Sequence, residues 1–453
     1  MNKLAIALVL LSACTKKVDQ CTSNTDCTDP AFPFCDVDGS FPASGGDKNV
    51  CTIMPADCPI DVCGCTAGSA TCGSDGTLAV CNADGMSVTT TMCSTGCELP
   101  AATCRTIVPS NGLGPVLASA AAEPAITIPS GATIDTDTGS VLDANLQSLT
   151  FATTLVTQPS GPTIRVFAGV TVTVGDVSIS GSDAIAFVGD GPVTVGTLTA
   201  PAHGSTGGPG AVTSADCVGE AAVATGSDDV VSGFGAGGGG NATAGASGGG
   251  HQQPGATGGL ATAGFLVLGG GCAGGGTTFP QSPDLGSNLG GGGGGAIQLV
   301  SNAHVNITGT INLGGGGGQQ NSGGGAGGLL VVEAPTLSFT GQGGMVANGG
   351  GGGGGCVGAD ATPDTTAAPG GDASTGTGCG YTVLALAGGN GATEITPPQP
   401  GTITQSGAIV HEIFGGGGGA IGRARLATLD GTFASTGTTV LAVMVTSDVV
   451  VTQ

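Results

Sequence analysis

Few residues of this chain could move a proton, and those few are scattered: His203, His251, His304, His411 and one adjacent acid pair, Asp228-Asp229. Acid–base or nucleophilic catalysis needs a base within hydrogen-bond reach of its partner, and no Ser or Cys stands beside a histidine in a recognisable motif. Glycosidases use paired carboxylates at set separations, but Asp228-Asp229 lies in a glycine-rich stretch where a turn accounts for it. Polysaccharide lyases need cations to hold uronate carboxylates, and residues 123–453 contain only Arg165, Arg423 and Arg425. Arg165 stands one step off an apolar position and reads as a solvated, outward residue. Arg423 and Arg425 alternate with Gly422 and Ala424, so both point to one face, read as outward. The expectation is therefore a protein that is not an enzyme and has no cofactor and no dedicated metal site.

Cysteine carries the other chemistry. Met1-Asn2-Lys3 and the apolar run Leu4 to Ala13 read as a secretion signal over residues 1–13, too short to span a bilayer. LSAC, Leu11 to Cys14, resembles the lipobox of bacterial lipoproteins, which implies acylation of Cys14. Thr15 follows where Asp would imply inner-membrane retention, so the resemblance implies an outer-membrane, cell-surface protein held by its lipid anchor.

The other 16 cysteines form an even set in an exported chain, which points to disulfides. Twelve fall within residues 14–104: Cys21, Cys27, Cys35 and Cys51, then Cys58, Cys63, Cys65, Cys72, Cys81, Cys93, Cys97 and Cys104. Four cysteines allow about 3 pairings and eight about 105, so connectivity stays open. Zinc is disfavoured, because the first histidine is His203 and no C-x-x-C occurs here. Residues 105–122, rich in Ala, read as a linker. Cys217 with Cys272, and Cys356 with Cys379, bracket two later glycine-rich stretches.

Charge narrows the partners. With 8 basic against 31 acidic residues the net charge is −23, which repels nucleic acid and anionic membrane surfaces. Weak, nonspecific binding of divalent cations fits so acidic a chain. There is no Trp, and Tyr381 is the single Tyr, so aromatic platforms for sugars or single strands are missing.

The elements that must position any site come from a repeat. Ile164, Val166, Phe167, Val172 and Val174 recur 21 residues on as Ile185, Phe187, Val188, Val193 and Val195. The pattern returns after 112 residues as Ile297, Leu299, Val300, Val305 and Ile307, and after 32 more as Leu329, Val331, Val332, Leu337 and Phe339. Ile126, Ile128 and Ile134 form a weaker early copy, and Gly415 to Gly431 a late one. A two-strand unit that cannot bury its own apolar face must stack on its neighbours. The expectation over 123–453 is all-β: a right-handed parallel β-helix with glycine-rich insertions, closed by the strand-like carboxyl end. Within Gly207 to Gly295, two readings of the 93-glycine excess stand open: flexible linker, or polyproline-II strands packed side by side.

The whole pattern resembles a loose group of glycine-rich surface lipoproteins of predatory Gram-negative bacteria, carried by segments such as Gly415 to Arg425. Ala420 to Arg425 departs from the group by placing Ala424 where a larger aliphatic residue is expected. The resemblance implies no activity. GGNGATEIT from Gly388 resembles one calcium-binding nonapeptide but has Ala392 and Thr393 where Asp is needed. The expected function is a structural or adhesive scaffold with an extracellular glycan or surface protein as partner. The alternatives are a polysaccharide-acting enzyme on the same fold, and a repetitive binder of ice or glycan suggested by Val170 to Val174.

Overall fold

In a computed structural model the described residues are 18–23, 26–27, 34–37, 48–52, 67–73, 76–83, 87–99, 103–225, 232–262, 267–278, 287–373, 384–403, 412–437 and 441–453. The signal segment, Cys14, Cys58, Cys63, Cys65, Cys379, Tyr381, His411 and Asp228-Asp229 lie outside them. Two compact units result, Met1–Arg105 and Thr106–Gln453.

The first unit is small strands joined by disulfides. Val18–Gln20, Val50–Thr52 and Phe34–Asp36 form one antiparallel sheet, crossed by Cys21–Cys35 and Cys27–Cys51. Ala70–Cys72, Thr77–Cys81 and Val88–Met92 form a second, and Cys97–Glu98 pairs with Thr103–Cys104. Cys72–Cys97 and Cys93–Cys104 tie these together, and Cys81 is also disulfide-bonded. The buried cluster of the first sheet is Cys21, Cys35 and Cys51, so sulfur replaces aliphatic side chains as core.

The second unit is built on three sheets that the chain visits in turn. Sheet 1 holds Ile164–Gly169, Ala184–Gly189, Ala296–Ser301, Leu329–Glu333, Arg423–Thr428 and Met444–Val449, all parallel. Sheet 2 holds Ile126–Ile128, Val172–Val174, Val193–Val195, His304–Ile307, Thr336–Gly341 and Ala434–Gly437, also parallel. Sheet 3 runs parallel through Ala132–Asp135, Val177–Ser180, Leu198–Thr199, Thr310–Asn312, Gly344–Val346 and Leu441–Ala442. At one end it turns antiparallel through Ser140–Leu142 and Ser148–Leu149. Thr153–Val156 likewise caps sheet 1 antiparallel to Ile164–Gly169. One core lies between the sheets, with Phe167 and Phe187 at 5.7 Å among Ile134, Val172, Val195, Leu299 and Phe339.

Register departs from the repeat in sheet 1 at two of its three steps, while Ile185 pairs Ile297 at the expected 112. Val172 pairs Val193 at the expected 21, but Phe167 pairs Phe187 at 20, which sets Arg165 opposite Ile185. Ile297 pairs Leu330, not Leu329. One residue of slip flips a strand's faces. The slip is invisible in sequence because sheet 1 is apolar on both sides: Leu330 and Val332 face the core, while Leu329 and Val331 join an outer cluster.

Residues 106–122 cover that outer face and are no free linker. The Ala-rich stretch forms a short helix, Gly114–Ala120, started by Pro115. Ile107, Leu113 and Leu117 pack on Ile164, Ala186, Val300 and Val331. The amide of Val108 donates to Val451 O at 2.7 Å and that of Thr106 to Gln453 O at 3.0 Å, so the carboxyl end pairs with this strap as well as ending sheets 1 and 3.

The sheets do not amount to a plain solenoid with loops hanging from one corner, because the described glycine-rich segments form a packed layer of their own. Hydrogen bonding there has a period of three. Gly324 N donates to Gly417 O, Gly325 N to Gly316 O and Ala326 N to Cys272 O; Gly327 N then returns to Ala420 O and Gly328 N to Leu313 O. Three residues per turn is the polyproline-II repeat, so each segment bonds to three neighbours in rotation. Gly239 donates to Gly324, Gly324 to Gly417 and Gly417 to Ala236, which closes a ring of three segments. Of the two sequence readings, the packed one describes these residues. The segment from Gly388 belongs to the same layer: Gly389 N bonds Gly416 O, and Asn390 Oδ1 accepts from Gly370 N at 2.8 Å. Cys217–Cys272 closes a loop within it, and Cys356 is also disulfide-bonded.

A Cβ on Gly325 would overlap the carbonyl oxygen of Gly292, whereas one on Gly114 would meet nothing within 4 Å. Gly325→Ala is expected to cost about 3 kcal/mol or more, and Gly114→Ala to stay within about 0.5 kcal/mol. Guanidinium unfolding midpoints check this, and an unchanged midpoint for Gly325→Ala would contradict the packed layer.

Candidate functional site

The cationic candidates are occupied by structure. Arg165 is 8% exposed and lies on the core-facing side of sheet 1, which corrects the outward reading. It donates from Nε to Thr136 O at 2.9 Å and from Nη2 to Asp137 O at 2.8 Å, and stands 3.9 Å from Asp183. The backbone carbonyls of a turn solvate the guanidinium in place of water, which is why a charge is tolerated there. Burial raises the pKa of Asp183 above the usual carboxylate value, against the pull of Arg165.

Arg423 and Arg425 do share the outer face of sheet 1, but the strap and the glycine layer cover that face. Arg423 donates from Nη2 to Asn241 O at 2.7 Å and to Thr262 O, and burial lowers its pKa. Arg425 spans two carboxylates, Glu333 Oε1 at 2.9 Å and Asp448 Oδ2 at 2.8 Å. Glu333, 3% exposed, also accepts from Gln298 Nε2 at 2.7 Å and from the Ser110 amide at 3.0 Å. Asn111 Nδ2 in turn reaches Gln298 Oε1 at 2.9 Å. This chain pins the strap to sheet 1 and leaves Glu333 no room to accept a substrate proton. Sequence reasoning missed Glu333 and Gln298, because their partners lie up to 223 residues away.

Among the described residues, His203 and His304 stand at different sheets. His203 is exposed and lies 3.7 Å from Asp360 at the margin of sheet 3, while His304 is on the outer face of sheet 2. The Sγ atoms of Cys21, Cys27 and Cys51 lie within 4.8 Å of one another, but all three are oxidised in disulfides and are not thiolate ligands.

What the fold does assemble is an outward row of short polar side chains. In sheet 2, Thr127, Thr173, Thr194, Asn306 and Ser338 stand in register on consecutive strands. Period-2 alternation puts Ile126, Val172, Val193, Val305 and Leu337 inward and this row outward. The rungs are ~4.8 Å apart, so the row runs ~19 Å. Ser338 Oγ and Thr340 Oγ1 both donate to Asn306 Oδ1 at 3.0 Å, which holds the later rungs upright. The short pattern around Val170 to Val174 marks only one rung; the others come from segments far apart in sequence.

Removing Arg425 would strand Glu333 in a buried setting. Arg425→Met is expected to cost about 3–5 kcal/mol, with much of the loss recovered in the Arg425→Met/Glu333→Gln pair. Denaturant titration of the singles and the pair measures this, and additive losses would deny the coupling.

Acid should weaken the fold in a defined window. Hydrogen bonds from Ser182 to Asp137, from Thr366 to Asp364 and from Arg425 to Asp448 hold each carboxyl below its ordinary 3.8. A depressed carboxylate stabilises the fold above its unfolded pKa and loses that contribution as pH falls through its folded value. Asp183, raised, acts in the opposite sense. The unfolding midpoint should therefore drop from about pH 4 downward, each exposed carboxylate contributing under about 1 kcal/mol. A midpoint that does not move on acidification would refute the assignment.

No helix among the described residues is long and apolar enough to cross a membrane. Set against family models, curated proteins and solved structures, the chain matches none.

Proposed function

We propose that this chain is a non-enzymatic adhesive scaffold of the cell surface, secreted, acylated at Cys14 and held at the outer membrane by that anchor. In this reading residues 14–104 are a disulfide-bonded stalk. The three parallel sheets of residues 123–453 wind as a right-handed β-helix, with the glycine layer packed alongside. The outward row Thr127, Thr173, Thr194, Asn306 and Ser338 carries the reading. A flat, uncharged row of donors and acceptors at constant spacing suits a partner that is itself extended and repetitive, such as an extracellular polysaccharide. The net charge of −23 argues against nucleic acid. The engagement of Arg165 and Arg425 in structural contacts argues against a uronate-cleaving site.

The full chain, purified in detergent, is expected to co-sediment with insoluble neutral polysaccharide without releasing soluble sugar. Thr173→Tyr with Thr194→Tyr, which break the flat row, should weaken binding by about tenfold or more. Sugar release above background would favour the enzyme alternative. Metabolic labelling with palmitate should mark the wild type and not Cys14→Ser; equal labelling would remove the anchor.

A further inference from the structure

The outer face of sheet 3 holds a second feature, a cleft of about 570 Å3. Thr133, Ser178 and Thr199 stand in register on three neighbouring strands and floor it. Asp137 and Ser182 close one side, and Pro201, Pro209 and His203 the other.

Both walls are pre-formed by groups outside the floor. Arg165 holds the carbonyls of Thr136 and Asp137 from behind, and Asp137 Oδ1 accepts from the Ser182 amide at 2.7 Å and Ser182 Oγ at 2.6 Å. Across the cleft, Asp360 Oδ1 accepts from the amides of Gly204 at 2.9 Å and Gly317 at 2.7 Å. The His203–Thr206 turn closes with reciprocal 3.0 Å backbone bonds. Such support keeps a binding site from collapsing when empty.

The lining selects a ligand class. Hydroxyls both donate and accept, a carboxylate only accepts, and proline rings offer apolar C–H surface. A neutral sugar presents this same mixture, with dense hydroxyls around its edge and C–H groups on its faces. An acidic ligand would meet Asp137, and an apolar one would strip water from the hydroxyls without replacing their bonds.

We propose that this cleft binds a short run of neutral carbohydrate, with Thr133, Ser178 and Thr199 contacting its hydroxyls and Asp137 accepting from one end. The proposal rests on the adhesive reading and adds to it a site for single soluble chains, distinct from the flat row of sheet 2.

Calorimetric titration of the full chain with neutral gluco-, manno- and xylo-oligosaccharides, and with an oligouronate, tests it. At least one neutral series should bind and the oligouronate should not. Asp137→Asn should weaken binding about tenfold, the scale of one hydrogen bond to a charged group. Ser178→Tyr and Thr199→Tyr, which fill the floor from exposed or half-exposed positions, should abolish it with circular dichroism unchanged. Binding that survives these fillings but is lost in Thr173→Tyr would place the ligand on sheet 2 and overturn the cleft while keeping the scaffold. Capture on insoluble polysaccharide with no soluble oligosaccharide bound would do the same. Preference for the oligouronate would overturn the ligand class, and no carbohydrate binding in either format would remove both proposals.

Discussion

The close contact of backbone with backbone in the glycine layer is the constraint on which the second unit depends. Ordering a residue costs about 1–2 kcal/mol in backbone entropy, and glycine has the most to lose. The layer offsets this cost by pairing its amides in three directions at once, as Gly324 to Gly328 do, and by bringing Cα hydrogens against carbonyl oxygens. At most positions of the layer a Cβ would overlap a neighbouring carbonyl oxygen, as at Gly325, so the close approach, though not the amide pairing itself, requires glycine. The alanines admitted, such as Ala236 and Ala326, are fully buried and sit where a methyl group fits.

Around that layer the sheets divide their faces. All three turn aliphatic side chains toward the common core, but they differ outside. Sheet 1 is apolar there and carries the strap, whose docking is specified by the polar chain from Asn111 through Gln298, Glu333 and Arg425 to Asp448. Sheets 2 and 3 turn short hydroxyl and amide side chains outward, and in both the rows lie across strands, so each row draws on segments distant in sequence. Burial of the outer face of sheet 1 and exposure of the others explains why Arg423 and Arg425 are held in structural contacts while uncharged polar groups remain at the surface of sheets 2 and 3.

Part of this was legible in the chain. Apolar alternation in Val172-Thr173-Val174 and Val193-Thr194-Val195 marks strands with one wet face, and their register came out as the repeat says. The same reasoning failed for Ile164–Gly169 and Leu329–Glu333, because a strand buried on both sides carries no period of two to read. Arg165 looked solvated beside apolar neighbours, since nothing local announces that the carbonyls of Thr136 and Asp137 will surround it. Glu333 gave no sign at all.

What the sequence by itself determined was local: strands where β-branched residues alternate, breaks at the glycine runs, and disulfides from the clustered cysteines. Tertiary structure decided which segments of glycine neighbour one another, which face of sheet 1 is covered, and which hydroxyls line up into rows or around a cleft. The physical reason is that strand formation follows from each residue's own side chain. Interstrand register and charge burial depend on partners tens to hundreds of residues away, brought together only when the sheets and the glycine layer pack.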